Sequence, residues 1–329
     1  MKNIFSLNRK TIVNTIGLIF FLILPFLTQL FDQEYLISLF SLILIYGLAA
    51  ASLDLILGFG GMISLGHAVF MGIGGYTVGI FAYHKYDSSL LFGFAGSENG
   101  LITWLLAILA AAIFGLITGA ISLRTKGMYF IMITLAFAQM GYYFFVSLSQ
   151  YGGSDGMSLY NRNELFSFDL GDDVTFYYVC LTILLTFLLI AHRIVNSHFG
   201  KVIKACKQNE QRVQVLGIAS YRYKLAIYTF AAAVAGLSGA LLANQNEFAS
   251  PELMHWTKSG ELMVMVILGG MGTLFGPVLG AATFLLMEYY LAMYTEHWMV
   301  VLGPFLIIVV LFAKKGLYGL LVGSKDTDD

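Results

Sequence analysis

Apolar stretches of a length that can cross a lipid bilayer recur along almost the whole chain. Of its 329 residues, 58% are hydrophobic and only 11% are charged, against about a quarter charged in ordinary soluble domains. Each stretch is roughly 18 to 25 residues long, which is enough to cross about 30 Å of hydrocarbon as a helix. The sequence therefore predicts an all-α fold, a polytopic helical membrane protein.

About ten transmembrane spans are predicted, interrupted by glycine-rich stretches that break helices or re-enter the membrane. Residues 1–329 are expected to form a single transmembrane domain. The first apolar run is too long for a typical signal peptide and no small-residue cleavage site follows it, so it is interpreted as a retained span. The predicted spans are Ile12–Phe31, Leu36–Leu57, Met62–Tyr83, Leu101–Leu123, Met128–Leu148, Val174–Ile194, Tyr223–Ala243, Glu261–Leu274, Pro277–Tyr294 and Trp298–Ala313.

The basic residues predict the orientation of these spans. Ten crossings put both termini on one side, and fifteen of the eighteen Lys and Arg residues then fall on that side. Lys and Arg concentrate in cytoplasmic segments, so both termini are expected in the cytoplasm. The exceptions are Lys85, Arg162 and Lys258. The cytoplasmic set is Lys2, Arg9, Lys10, Arg124, Lys126, Arg193, Lys201, Lys204, Lys207, Arg212, Arg222, Lys224, Lys314, Lys315 and Lys325.

One polar loop between two spans is long enough to form a helix of its own. This basic loop, residues 193–224, carries seven Lys or Arg residues and Glu210 as its one acid. Written on a helix, Val202, Cys206, Val213 and Leu216 fall along one face, and Gly217 predicts the helix end. Such a helix either lies on anionic lipid or docks a cytoplasmic partner, and periodicity does not separate the two.

Two glycine-rich segments in the two halves of the chain resemble each other. The first glycine segment, residues 58–66, begins within the string I-L-G-F-G-G (56–61). The second, residues 269–276, begins within the similar string I-L-G-G-M-G (267–272). Paired glycine-interrupted segments in the two halves of a transporter point to the substrate path. The alternative is close helix packing, which small residues permit in lipid.

A few polar side chains lie in or beside the predicted spans. An intramembrane carboxylate or histidine suggests function by default. Asp54, Glu261 and Glu288 sit near predicted helix ends, where water is expected to reach them. His67 is interpreted either as lining a cavity or as bonding to a neighbouring helix. A proton relay through these groups is the less favoured alternative to a structural role.

Enzyme motifs are not apparent in the chain. It has no P-loop, no H-E-x-x-H and no G-x-S-x-G. Its two cysteines, Cys180 and Cys206, fall in an apolar run and in the basic loop, so a disulfide or shared metal is not expected. We therefore expect no catalytic site, no bound cofactor and no metal site in this chain.

Five sequence blocks follow one another in order over most of the chain. They are L-D-L-I-L-G-F-G-G-M-I-S-L-G-H-A-V-F-M-G-I-G-G-Y-T (53–77), R-T-K-G-M-Y-F-I-M-I-T-L-A-F-A (124–138), G-G-S-D-G-M (152–157), H-F-G-K-V-I-K-A-C-K-Q-N-E (198–210) and S-P-E-L-M-H-W-T-K-S-G-E-L-M-V-M-V-I-L-G-G-M-G-T-L-F-G-P-V-L-G-A (250–281). Together these blocks resemble branched-chain amino-acid ABC transporter permeases, most closely the LivM-type subunit.

The resemblance implies partners and a place in the cell. Such permeases pair with a second, LivH-type permease and two ABC ATPase subunits that bind ATP and Mg²⁺, and a periplasmic binding protein delivers the substrate. The expected location is the bacterial inner membrane, in the lipid bilayer, with no nucleic-acid partner. ATP binding would move the partners, and alternating access would carry an apolar, zwitterionic amino acid through this subunit.

The resemblance also implies roles for residues. The basic loop would be the coupling helix that sits in a groove of the ATPase, with candidate residues Lys201, Lys204, Lys207, Glu210, Arg212, Leu216 and Gly217. It departs from the general Glu-Ala-Ala-x-x-x-Gly pattern, because Glu210 and Gly217 lack the Ala-Ala pair and are one residue further apart. The candidate translocation path is Asp54, Gly58, Gly60, Gly61, Ser64, Gly66, His67, Gly269 and Gly270.

Two other functions stay open at this point. One is a permease of the same superfamily that carries urea or short amides. The other is a secondary transporter driven by ions, in which Asp54 or Glu261 would bind the coupling ion. Dependence of uptake on ATP, rather than on a proton or sodium gradient, would distinguish the last from an ABC importer.

Overall fold

The computed structural model describes residues 9–30, 35–87, 89–91, 94–165, 170–295, 297–312 and 316–322. Four of the basic residues assigned above to the cytoplasm, Lys2, Lys314, Lys315 and Lys325, lie outside the described residues. The described part is almost entirely helical. Its helices are α1 (Arg9–Leu30), α2 (Tyr35–Asp54), α3 (His67–Tyr86), α4 (Gly100–Ser122), α5 (Met128–Ser147), α6 (Asp173–Asn196), α7 (His198–Val215), α8 (Ser220–Asn246), α9 (Trp256–Gly269), α10 (Gly276–Ala292), α11 (Trp298–Phe312) and α12 (Gly316–Val322).

Shorter elements complete the description. A π-helix, Leu55–Phe59, continues α2, and short 3₁₀ turns cover Ser149–Tyr151 and Pro251–Met254. Two antiparallel pairs of two-residue strands lie in loops between helices: β1 (Leu90–Leu91) pairs with β2 (Phe94–Ala95), and β3 (Met157–Ser158) pairs with β4 (Phe248–Ala249).

A helix stands at the place of each of the ten predicted spans. Within the described residues, six helices are long and apolar enough to cross a membrane: Thr11–Leu30, Tyr35–Phe59, Gly100–Ser122, Met128–Ser147, Asp173–Asn196 and Ser220–Asn246. These six confirm a polytopic α-helical membrane protein. α3 has 20 residues, but its glycines and histidines make it less apolar. α9, α10 and α11 have 14, 17 and 15 residues, or roughly 21 to 26 Å of helix.

Three predicted span boundaries are wrong by more than one helical turn. α9 begins at Trp256 rather than at Glu261, because the polar residues of its first turn fall outside the apolar run. Glycine residues account for the other two. α3 begins at His67 rather than at Met62, because the chain between them is not helical and Gly61 takes a positive φ of +66°. α9 ends at Gly269 rather than at Leu274, because Gly270 turns the chain at φ +121°. Glycine residues that an apolar window averages away therefore set both helix ends.

The core of the bundle is a close contact of α8 with α3 and α4. Small residues let these backbones approach, as in many membrane helix interfaces. A Cβ on Gly74 would overlap the Gly236 carbonyl, and one on Gly239 would overlap the Met71 carbonyl. α8 is thereby fixed at the centre, so its two ends place the loops that precede and follow it.

Contacts between distant helices define two ends of the bundle. At the end that carries α7, the Tyr318 hydroxyl of α12 donates to Asn14 of α1 at 3.0 Å. At the opposite end, Tyr35 at the start of α2 stacks on Tyr289 near the end of α10, with ring centroids 6.3 Å apart. Successive long helices therefore run alternately between the two ends.

Candidate functional site: α7 and the two glycine segments

α7 is an amphipathic helix whose apolar face rests on its own chain. Ser197 begins it, since the hydroxyl accepts the Gly200 amide at 3.4 Å. Ile203, Cys206 and Val213 are buried. Burial raises the pKa of the Cys206 thiol above its ordinary value. The thiol is therefore shielded by this chain, with no partner needed to cover it.

α7 is kinked at Asn209, which the sequence did not reveal. Its backbone is non-helical, with φ −157° and ψ 98°. The Asn209 side-chain oxygen accepts the Arg212 amide at 3.0 Å, as an N-cap does for a new helical segment. The kink resets the helical phase. The predicted apolar face is therefore wrong at its end, because Leu216 is 72% exposed.

The second segment of α7 ends in a glycine motif. Gly217 has φ +82°, its amide donates to Gln214 O at 2.9 Å, and the Ile218 amide donates to Val213 O at 3.3 Å. These two bonds form a Schellman motif, which glycine favours because of the left-handed backbone. The predicted helix end is thus confirmed. Beside it, Val215 is 87% exposed.

Glu210 ties α7 to two neighbouring elements. Its carboxylate lies 2.9 Å from the Lys126 ammonium and 3.0 Å from the Lys224 ammonium, and it accepts the Ser220 hydroxyl at 3.1 Å. Burial alone would raise the pKa of the Glu210 carboxyl, but hydrogen bonds from both lysines outweigh it and hold that pKa below the usual range. Glu210 therefore stabilises the position of α7 as an anion.

A cavity of about 220 Å³ connects this ionic cluster with the first glycine segment. Gly61 and Met62 line one side of it, and Lys126, Glu210 and Lys224 line the other. The structure therefore brings members of the two predicted sets, the coupling residues and the path residues, to one place at the α7 end of the bundle.

The remaining basic residues of α7 differ in their surroundings. Lys204 lies over the Phe59 ring, with its ammonium 5.6 Å from the centroid. Lys201 and Arg212 are exposed. Among the predicted coupling residues, Lys207 and Glu210 bond to this chain, while Leu216 and Gly217 are exposed, as is the neighbouring Val215. Val215 was not among the predicted residues.

Lys207 reaches from α7 into the first glycine segment. Its ammonium donates to the Gly58 carbonyl at 2.6 Å. Its methylene groups pass over Gly61, where an added Cβ would lie 2.8 Å from the Lys207 Cγ. The sequence analysis included Lys207 among the candidate ATPase-coupling residues. In the structure it holds α7 to the end of the second long helix.

The two glycine segments contact each other through Asp54. This carboxylate is only 1% exposed, so the prediction that water reaches it is wrong. It accepts the Gly272 amide through both oxygens, at 2.9 and 3.2 Å. A Cβ on Gly58 would overlap the Asp54 carboxylate and the Gly272 amide. Gly58 is a glycine because these groups meet where its side chain would be.

The other predicted path residues also lie at close backbone approaches. An added Cβ on Gly60 would lie 2.7 Å from the Ile56 carbonyl, and one on Gly66 would lie 2.6 Å from the Thr134 carbonyl. Gly269 abuts the Gly276 carbonyl. Ser64 is buried, and its hydroxyl accepts the Gly66 amide at 3.3 Å. These contacts support the packing interpretation, while a role in translocation remains a prediction.

His67 bonds to a neighbouring helix, one of its two predicted interpretations. The ring is fully buried, and Nε2 lies 2.8 Å from the Ser52 hydroxyl of α2. That hydroxyl donates its hydrogen to Ala49 O at 2.7 Å, so Nε2–H is assigned as the donor to Ser52. The other nitrogen, Nδ1, then has no partner among the described residues.

Glu261 and Glu288, the other two intramembrane candidates, do not join Asp54. The Lys258 ammonium donates to Glu261 at 2.8 Å, three residues away on the same helix. Glu288 is half-buried on α10. Among the described residues, no group of three or more His, Cys, Asp or Glu side chains is placed to hold a metal ion.

A second polar cluster lies at the opposite end of the bundle, and sequence reasoning missed it. Arg162 donates to Asp173 at 2.7 Å and lies over the Phe176 ring, 5.1 Å from its centroid. Next to it, the buried Asn244 amide donates to Asn163 Oδ1 at 2.8 Å. The sequence signal available for this cluster was Arg162 itself, a lone basic residue in the acidic loop between α5 and α6. The cluster joins this loop to α6 and α8.

The fold and site define a polytopic α-helical membrane protein with a docked helix at one end. Residues 35–311 match the family described as "Branched-chain amino acid transport system / permease component". The chain belongs to that family, since the match covers most of its length.

Three curated relatives are similar to the chain at low identity. It is 25% identical over 339 aligned residues to the high-affinity branched-chain amino acid transport system permease protein LivM of Escherichia coli K12, covering 95% of this chain and 76% of the relative. Its identity to the protein of that name in Salmonella typhimurium is 26%, covering 85% and 69%. A probable LivM permease of Methanocaldococcus jannaschii is 26% identical, covering 87% and 91%. No solved structure matches the chain.

Proposed function

We propose that this chain is a membrane-spanning permease subunit of an ATP-driven ABC importer for branched-chain or related apolar amino acids. Membership of the permease family supports the transport role. The names of the three relatives support the solute class. ATP and Mg²⁺ would bind to partner ATPases. The proposed partners are a second permease, two ATPases and a periplasmic binding protein.

The proposed topology is ten crossings of the bacterial inner membrane by one domain, with both termini in the cytoplasm. The alternation of helices between the two ends of the bundle supports it. α9, α10 and α11 are shorter than the hydrocarbon is thick. Each would therefore cross only part of it, and neighbouring helices and loops would occupy the rest. The basic residues at the α7 end, among them Lys126, Lys204 and Arg212, support a cytoplasmic position for that end.

The basic loop, residues 193–224, is proposed to couple this subunit to an ATPase. One observation carries this proposal: the apolar face of α7 is buried in its own bundle, while Val215 and Leu216 project from it. A helix that lies on lipid inserts its apolar face into the bilayer. Here that face is already occupied. The exposed pair on a capped end instead supports docking into a protein groove.

The inward contacts at Lys207 and Glu210 narrow the proposed ATPase contact. Arg212, Leu216 and Gly217 keep that role, with Val215 added. Lys201 would lie at its edge. The path role is proposed for the cavity-facing part of the first glycine segment, Gly61 to Ile63, which lies beside α7.

The test is co-expression of the tagged chain with its genomic neighbours, purification in detergent, mass spectrometry and uptake by proteoliposomes. Recovery of an ABC ATPase and a second permease, with ATP-dependent leucine uptake that urea does not compete, is the expected result. Uptake driven by a proton or sodium gradient without ATP would overturn the proposal. Leu216→Glu, with the buried face intact, is expected to lower recovery of the ATPase.

A further inference from the structure

We propose that Lys207 is a positioning residue for transport, whose bond to the Gly58 carbonyl transmits movement of α7 to both glycine segments. The inference rests on the proposed coupling role of α7 and goes beyond it, because it names the connection inside this chain. Lys207 is exposed along part of its length, but its ammonium is bonded inside this chain, so its role would differ from that of Arg212 or Leu216.

The Lys207 ammonium binds at the carboxyl end of a long helix. α2 and the π-helix together run from Tyr35 to Phe59. The last carbonyls of a helix have no partner within it and carry partial negative charge, so a cation is stabilising there. The Gly61 amide donates to Leu57 O at 3.1 Å and the Met62 amide donates to Ile56 O at 2.8 Å. The Lys207 ammonium donates to the next carbonyl in the chain, Gly58 O.

Glycine residues make this contact possible. Gly61 combines a left-handed backbone, φ +66°, with the absence of a side chain. The Lys207 methylenes occupy the space that a side chain would need. A lysine whose side chain extended only into solvent would not require a glycine next to its methylene groups. The fit restricts Lys207 to the conformation that reaches Gly58.

From Gly58 the contact continues to the second glycine segment. Asp54, one turn earlier, accepts the Gly272 amide at 2.9 Å. The Gly272 amide and the Asp54 carboxylate both abut Gly58. Three short contacts therefore link α7, the end of α2 and the turn between α9 and α10.

The π-helix is the element that could respond to such movement. It changes the hydrogen-bond register for five residues, Leu55–Phe59, inside an otherwise α-helical span. Single π turns recur at functional positions in helices. A pull on Gly58 O acts on this register directly. Glu210, in contrast, holds α7 to Lys126, just before α5, and to Lys224, near the start of α8.

The experiment uses the complete transporter in proteoliposomes and measures ATP hydrolysis and leucine uptake together. Lys207→Met keeps the methylenes and removes the donor. ATP hydrolysis is expected to stay within about twofold of wild type, while uptake per ATP falls about tenfold or more, the factor that a charge-assisted hydrogen bond supplies. Lys207→Arg keeps a donor and should retain most of the coupling. Gln208→Met, a change at an exposed position on the same helix outside the proposed ATPase contact, is the control.

A second pair of variants leaves Lys207 itself intact. Gly61→Ala displaces its methylenes and should reproduce the loss of coupling. Gly153→Ala also places alanine at a positive φ, +53°, where the nearest atom to the added Cβ is an ordinary 3.4 Å away, and should not. Normal uptake per ATP in both Lys207→Met and Gly61→Ala would overturn the inference, as would equal losses in Gly153→Ala. A wild-type complex without ATP-dependent uptake would instead overturn the proposed function.

Discussion

The Asp54 carboxylate accepts the Gly272 amide at 2.9 Å, although 218 residues separate the two in the chain. This bond brings together two glycine segments whose sequences resemble each other. A buried carboxylate needs such donors, because an uncompensated charge in a low-dielectric interior is strongly unfavourable. Asp54 therefore acts first as a structural acceptor.

Asp54→Ala is expected to destabilise the subunit. It leaves the Gly272 amide without its acceptor, at a cost of about 1–3 kcal/mol in the free energy of unfolding. Asp54→Asn keeps one oxygen in place and should lose less. Thermal unfolding of the purified complex in detergent measures both. Equal midpoints for Asp54→Ala and wild type would contradict the structural role.

Gly58→Ala should destabilise the subunit through steric overlap. Its Cβ would meet the Asp54 carboxylate and the Gly272 amide, and overpacking of this kind costs about 1–3 kcal/mol. Gly260→Ala is the matched control, since nothing lies within 4 Å of that added Cβ in α9. The control should be neutral or slightly stabilising, because alanine favours the helix. Thermal midpoints that do not separate the two variants would argue against the contact.

The contribution of Glu210 to stability should depend on pH in the acid range. Its pKa is lowered in the folded chain from a usual value of 4.5, so its stabilisation is complete above about 4.5 and is lost as the pH falls through the lower folded pKa. Glu210→Gln should therefore lower the thermal midpoint at pH 7, and the difference from wild type should shrink below about pH 4.5.

Glu252→Gln is the control for that titration, because Glu252 is exposed. Its melting curve should follow wild type across the range. A difference between Glu210→Gln and wild type that grows on acidification would show that Glu210 does not act as an anion.

Gly217→Val should impair coupling while the chain still inserts into the membrane. A β-branched residue is unfavourable at φ +82°, where left-handed backbone costs about 1–2 kcal/mol for ordinary residues. Gly217→Asn is the matched variant, since asparagine tolerates this conformation. Uptake and membrane insertion, measured in parallel, test this. Unchanged uptake in Gly217→Val would remove the capped end of α7 from the coupling mechanism.

Asn244→Ala should destabilise the opposite end of the bundle. Asn244 is fully buried, accepts the Asn163 amide at 2.7 Å and donates to Asn163 Oδ1 at 2.8 Å. Groups left unpaired by its removal cost about 1–3 kcal/mol. Asn246→Ala, exposed on the same helix, should change little. Similar thermal midpoints for the two variants would show that the amide pair contributes nothing.

Hydropathy located the helices because a membrane helix must be long and apolar, which is a local property. Gly217 could be recognised as a helix end for the same reason. The kink at Asn209 could not be predicted, since its side chain caps the segment that follows it and the apolar period was assumed to be continuous. This one residue accounts for the wrong placement of Leu216.

Contacts between residues far apart in the chain could not be predicted from local sequence patterns. The sequence shows Lys207 as one of seven basic residues in a loop, with nothing to mark it as directed inward. Its contact with Gly58 spans 149 residues. The glycine segments could be matched to each other, but the bond from Asp54 to Gly272 depends on how α2, α9 and α10 pack.

The anchoring of α7 has a consequence for assembly. Lys207, Glu210 and the buried face hold this helix in place within the isolated chain, so it is ordered before any partner arrives. Ordering a flexible segment on binding reduces affinity, and a preformed element avoids that loss. An ATPase would thus contact a preformed helix end on which Val215 and Leu216 are already exposed. Substitutions at this end of α7 would then act mainly on the rate at which an assembled complex dissociates.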